Sequence, residues 1–149
     1  MTDVWFYHLE RVPLDRVLPN LLERTIGRGW RAVVQAGSEE RVNALDSLLW
    51  TYSEESFLPH GTKRDGNPAK QPVYLTDGPE NPNSADVRFL VDGAEHEELS
   101  GYERAIFIFD GHDDAALAKA RRQWKAVKEA GHDVTYWQQS ETGRWEQKA

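Results

Sequence analysis

Asp110, Asp113 and Asp114 are the residues whose type and spacing come closest to reactive chemistry. They follow an apolar run at 104–109, where an α/β protein carries ligands beyond the carboxyl end of a strand. Three such carboxylates could hold Mg²⁺ for phosphoryl transfer, which makes a small metal-dependent phosphohydrolase or nuclease the alternative reading of the chain. Helix capping explains them more simply, since Asp113 or Asp114 stands where a helix begins and an acid there complements the macrodipole. His8, His60, His96, His112 and His132 show no zinc-ligand spacing. Neither a Walker A nor a G-x-G-x-x-G sequence occurs, and no serine sits in a nucleophile elbow. The expectation is a protein with no catalytic residues, cofactor or metal of its own.

A different chemistry is suggested by KARRQWKAVK at 119–128, with five basic residues and no acid in a chain of net charge −7. At 100° per residue Leu117, Ala120, Trp124 and Val127 form the apolar stripe. Arg121, Lys125 and Lys128 lie on the adjoining strip, with Trp124 at the border. A basic helix face is often only solvated, and cations near a helix C-terminus complement its dipole. A short acidic peptide ending in an apolar residue and a free carboxylate would nonetheless satisfy such a strip, its side chain against Trp124 and its carboxylate on Arg121. Single-stranded DNA could also use a stacking indole with cations, although so few cations make a weak groove.

The third set is LLWTYSEESFLPHG at 48–61, which puts Trp50, Tyr52, Phe57, Leu58, Pro59 and His60 where periodicity stops. Pro59 fixes its own φ and drives Leu58 towards an extended backbone, so Phe57 and Leu58 stand on a stiff segment. These side chains either roof the end of a sheet or form a docking patch, since stiff aromatic anchors lose little entropy on binding.

The elements that must position these residues alternate. Residues 4–9 read as a strand, and apolar positions recurring from Pro13 to Ile26 read as a helix that Pro19 could kink and that Gly27 and Gly29 end. A strand at 30–36 is followed by a helix capped by Ser38 and ending near Trp50. Residues 61–71 are polar and rich in breakers, 73–76 and 87–91 are short strands around turn chemistry at 77–86, and 92–100 is an acidic loop or single helical turn. The buried strand at 104–109 feeds a long helix ending at Gly131, and 134–138 is a last strand. About six strands and three helices result, in a single three-layer, Rossmann-like α/β domain over 1–149, its sheet mostly parallel with helices on both faces. Residues 63–100 are its loop-rich part and 140–149 a polar tail with only Trp145 to dock.

Composition bounds the function. With 149 residues and 39% hydrophobic content the chain suits one soluble domain, and no apolar run approaches the roughly 20 residues that span a bilayer. The absence of cysteine excludes disulfides and thiolate chemistry, and the N-terminus resembles no secretory signal, so the cytoplasm is expected. Net charge −7 argues against a whole surface given to nucleic acid, so contact with DNA is expected to be mostly indirect.

Two of these stretches carry a resemblance. LWTYSEESFLPHG at 49–61 and ARRQWKAVKEAGHDVTYW at 120–137 resemble the chi subunit family of bacterial DNA polymerase III, and FYHL and GWRAVVQA resemble its first two strands. The resemblance implies a non-catalytic accessory subunit of the clamp loader in DNA replication. Such a subunit grips the acidic C-terminal tail of single-stranded DNA-binding protein and, on a separate surface, the psi subunit or an accessory helicase. By position, tail binding falls on Arg121, Trp124 and Lys125, with Lys128 added from helical geometry. The second partner falls on Trp50 and Phe57, with Leu58, Pro59 and His60 as neighbours. Trp124 stands where the family shows a tyrosine, which keeps an apolar wall and removes a hydroxyl.

Overall fold

The computed structural model describes residues 2–53, 58–96 and 98–148. The chain runs β1 (Asp3–Leu9), α1 (Leu14–Gly27), β2 (Ala32–Gln35), α2 (Glu39–Thr51), β3 (Val73–Thr76), β4 (Val87–Leu90), β5 (Arg104–Asp110), α3 (Asp114–Glu129), β6 (Asp133–Gln139) and β7 (Trp145–Gln147). The strands form one sheet in the order β3-β2-β4-β5-β1-β6-β7, parallel throughout except for β7. The expected α/β architecture, with a mostly parallel sheet and helices on both faces, is the one the chain adopts.

Register and pleat together decide what each face carries, because successive side chains along a strand point to opposite sides. Val4, Ala105 and Val134 are in register, as are Phe6, Phe107 and Tyr136; these rows face α3. Trp5 with Ile106 and Thr135, and Tyr7 with Ile108 and Trp137, point the other way, towards the side that holds α1 and α2. Three helices cannot cover both faces of seven strands. On one face α1 packs on β2 and β5 and α2 on β3; on the other α3 packs on β5, β6 and β1.

The two uncovered quarters are solved differently. Beside α3, the β2–β3–β4 side is closed by irregular chain: Ala85 and Tyr102 bury Val33 and Tyr74, and the fully buried Arg88 ties the layer together. Its guanidinium donates to Gln35 Oε1 (2.6 and 3.1 Å), Gly78 O (2.7 Å), Glu80 O (3.1 Å) and Tyr102 Oη (3.0 Å), acceptors that are all neutral. On the opposite face, the β1–β6–β7 side carries half-buried Trp5, Trp137 and Trp145.

Local chemistry sets the boundaries. Ser38 accepts from Arg41 N at 3.2 Å and caps α2, as its position predicts. Asp113 caps α3 through Ala115 N and Ala116 N, and Gly131 takes φ +89° after its end, a conformation costly for other residues. Pro19 neither ends nor frays α1, which continues through it with the ring buried against the core. The tail contains a seventh strand: Trp145 to Gln147 pairs with 137–139 in antiparallel register, and Gln139 takes part in that pairing. The 61–71 loop holds a 3-10 turn over Pro68–Lys70, and no helical turn forms among the described residues of 92–100.

Candidate functional site

The exposed side of α3 presents Arg121, Lys125 and Lys128 to solvent. Among the described residues no carboxylate forms an ion pair with any of them. Trp124 is half-buried: its ring meets Phe6 edge-on at 5.6 Å and Tyr136 at 5.5 Å, and Lys128 Nζ stands 5.2 Å from the ring centroid. The indole is therefore anchored from below while part of it still borders the cations. A rigid apolar wall beside a weakly hydrated guanidinium and two solvated ammonium groups suits an acidic, apolar-ended ligand.

The neighbouring floor was not legible in the sequence. His8 Nδ1 lies 2.7 Å from Tyr136 Oη, and His8 Nε2 lies 2.8 Å from Glu10 Oε1. Gln138 Nε2 donates to the same carboxylate at 2.9 Å, and His112 Nε2 stands 3.4 Å from its other oxygen. Burial pushes the His8 imidazole below its ordinary range, which Glu10 partly offsets, and burial pushes the Tyr136 phenol up while Arg121 draws it back. Gly111 is required here, because a Cβ would fall 1.9 Å from His8 Nε2 and 2.8 Å from Leu9 O. The only sequence signal was the placement of His8 and Tyr136 on inward positions of their strands.

A family model described as DNA polymerase III chi subunit, HolC, matches residues 1–135. The chain belongs to that family. A protein of Rickettsia prowazekii (strain Madrid E) named "Probable DNA polymerase III subunit chi" is 31% identical over 103 residues. That match covers 69% of this chain and 62% of the relative, so the chain spans less than two thirds of the relative's length. The chi family match ends inside β6, and Tyr136, Gln139 and β7 lie beyond it.

The second set of residues lies at the end of α2. Trp50 is 57% exposed, the one large apolar side chain so displayed among the described residues. His60 packs against its ring at 4.9 Å, and His60 is itself buried, with Nδ1 2.7 Å from Leu58 O and Nε2 3.0 Å from Asp46 Oδ1. Leu58 is buried in the core and Pro59 half-buried, so of these three it is His60 that supports the Trp50 ring. Phe57 lies outside the described residues.

A cleft of about 780 Å³ opens at the carboxyl ends of β1 and β5, where α1 and α3 leave on opposite faces. Several of its polar groups are already engaged. Asp110 Oδ1 accepts from His112 N at 2.9 Å, Asp113 caps α3, and Arg41 pairs with Asp92 at 2.9 Å. Among the described residues no three His, Cys, Asp or Glu side chains converge as a metal site would require. On the other flank of α3, Arg122 overlooks a groove of about 410 Å³ whose apolar lining includes Leu99, Phe107 and Val127. No helix among the described residues is long and apolar enough to cross a membrane.

Proposed function

We propose that this protein is a non-catalytic accessory subunit of the DNA polymerase III holoenzyme, acting in replication in the cytoplasm as a bridge at the clamp loader. One end of the bridge is the acidic C-terminal tail of single-stranded DNA-binding protein, received by Arg121, Trp124, Lys125 and Lys128. The other is the psi subunit or a comparable partner such as an accessory helicase, received around Trp50, with Phe57 and the segment through Leu58, Pro59 and His60. Membership of the chi family supports the role, and the observation that carries the tail site is the exposed, carboxylate-free cationic strip of α3 beside a half-buried indole.

A patch this small, dependent on charge, gives modest and salt-sensitive affinity. Titration of the folded protein with an acidic tail peptide tests it. Arg121→Glu is expected to abolish binding while the thermal transition stays where it was, whereas Arg122→Glu, on the opposite flank, weakens the peptide far less. Unchanged affinity in Arg121→Glu would remove the site.

A further inference from the structure

The β1–β6–β7 side of the sheet that carries no helix bears a second concentration of indoles and guanidinium groups, unrelated to the strip on α3. Trp5 and Trp137 lie 6.0 Å apart, Trp5 and Tyr7 6.2 Å, and Tyr7 and Trp145 4.6 Å, so four aromatic rings are contiguous across three strands. Arg104 lies over the Trp5 ring at 3.8 Å and 5.5 Å from Trp30, and Arg28 lies over Trp30 at 4.0 Å. Arg24 stands one helical turn before Arg28, whose N–H donates to Arg24 O at 3.2 Å across the end of α1. Three cations thus edge one aromatic surface.

Among the described residues none of Arg24, Arg28 and Arg104 forms an ion pair. Arg104 Nε is buried without a hydrogen-bond acceptor, and burial first and the neighbouring Arg28 second disfavour the charge on Arg104, which Asp3 partly offsets. Like charges gathered in a molecule of net −7 are relieved by an anion. Asp3 and Asp133, in register with Arg104 and exposed, bound the surface on one side and turn a polyanion towards the arginines.

From this juxtaposition we infer that the Trp5–Trp137–Trp145 face, edged by Arg24, Arg28 and Arg104, is a stacking platform for single-stranded nucleic acid. Bases would lie on the indoles and phosphates on the guanidinium groups, a combination that is tolerant of sequence. Direct contact would then be made on the sheet and not on α3, and the two surfaces could be occupied independently.

The test uses the full chain, a labelled oligo(dT) read by anisotropy, and the acidic peptide in parallel. Oligo(dT) is expected to bind and to quench tryptophan fluorescence, with a log–log salt slope of about −2 for three neutralised phosphates. The Arg24→Glu/Arg28→Glu double variant is expected to bind oligo(dT) at least about tenfold more weakly and the peptide unchanged, and Arg121→Glu to do the reverse. An Arg24→Ala/Arg28→Ala pair carries the same prediction should the charge reversal perturb folding. An abasic strand of equal length is expected to bind at least about tenfold more weakly than oligo(dT). No anisotropy change with the native protein at low salt would overturn the inference, as would equal binding of the abasic strand. Full oligo(dT) affinity in both arginine pairs, or its loss in Arg121→Glu alone, would overturn it too. Failure of the peptide arm alone would count against the tail site and leave the platform standing.

Discussion

Replacing Arg88 by Met asks whether a buried cation surrounded only by neutral acceptors holds this fold together. The guanidinium is wholly inaccessible and makes five hydrogen bonds to four groups, the Gln35 amide oxygen, the Gly78 and Glu80 carbonyls and the Tyr102 hydroxyl. Methionine fills much of the volume and strands all four acceptors. At about 1 kcal/mol for each orphaned acceptor the loss is about 4 kcal/mol. Removing a charge that lacks a carboxylate partner returns part of that, so the net cost is about 3 kcal/mol. For a chain of this size that lowers the melting temperature by about 6–12 °C. Thermal unfolding followed by circular dichroism measures it. The acceptors converge on one point from three segments of chain, which is why the polar loss outweighs the relief. A melting temperature equal to or above that of the native protein would refute this reasoning, and would mean that the loops at 77–86 and 94–102 repack around an apolar side chain.

Gln139 offers a second test: its side-chain oxygen accepts from Glu10 N, Arg11 N and Val12 N at 2.8, 2.9 and 3.1 Å, and so builds the loop between β1 and α1. Gln139→Ala is expected to cost about 2–3 kcal/mol in denaturant unfolding, whereas Gln139→Glu, whose carboxylate can accept the same three bonds, retains most of the stability at neutral pH and loses it on acidification. The third concerns His8, whose folded imidazole is held below its ordinary range. As pH falls through about 6.5 the unfolded chain takes up this proton first, so stability declines by at most about 1.4 kcal/mol per unit until the folded group protonates as well. Melting curves between pH 7.5 and 5.5 should show that decline flattened in His8→Gln, and parallel curves for the two proteins would refute it.

The periodic elements were readable because burial imposes a period. The 3.6-residue recurrence in α1, the unbroken apolar run of β5 and the Ser38 and Asp113 caps all reappear in the structure at or near their expected positions. Strand β7 was not readable: it has three residues, one of them apolar, and it is held by pairing with Gln139, whose amide is drawn towards the β1–α1 loop. The cluster of His8, Glu10 and Tyr136 was equally hidden, since His8 and Tyr136 are 128 residues apart and meet only because β6 returns beside β1. The basic strip of α3 was visible as composition. What composition could not give was the depth of Trp124, which follows from Phe6 and Tyr136 on strands beneath it. The same blindness to sheet order concealed the face with Trp5, Trp137 and Trp145, whose members are separate along the chain and adjacent only across strands.

Both margins of the sheet are spoken for. At the β3 margin Gly61 bridges to Tyr74 in parallel fashion, its N–H donating to Val73 O and its carbonyl accepting from Leu75 N, so these two outward groups are already matched. At the other margin β7 runs for just three residues and carries Glu146 and Lys148 at its end. Short, charged or occupied borders discourage a foreign strand from zipping on. A sheet finished in this way leaves recognition to side chains, so that binding at one surface can be tuned, or lost, by single substitutions without disturbing the scaffold that carries the rest.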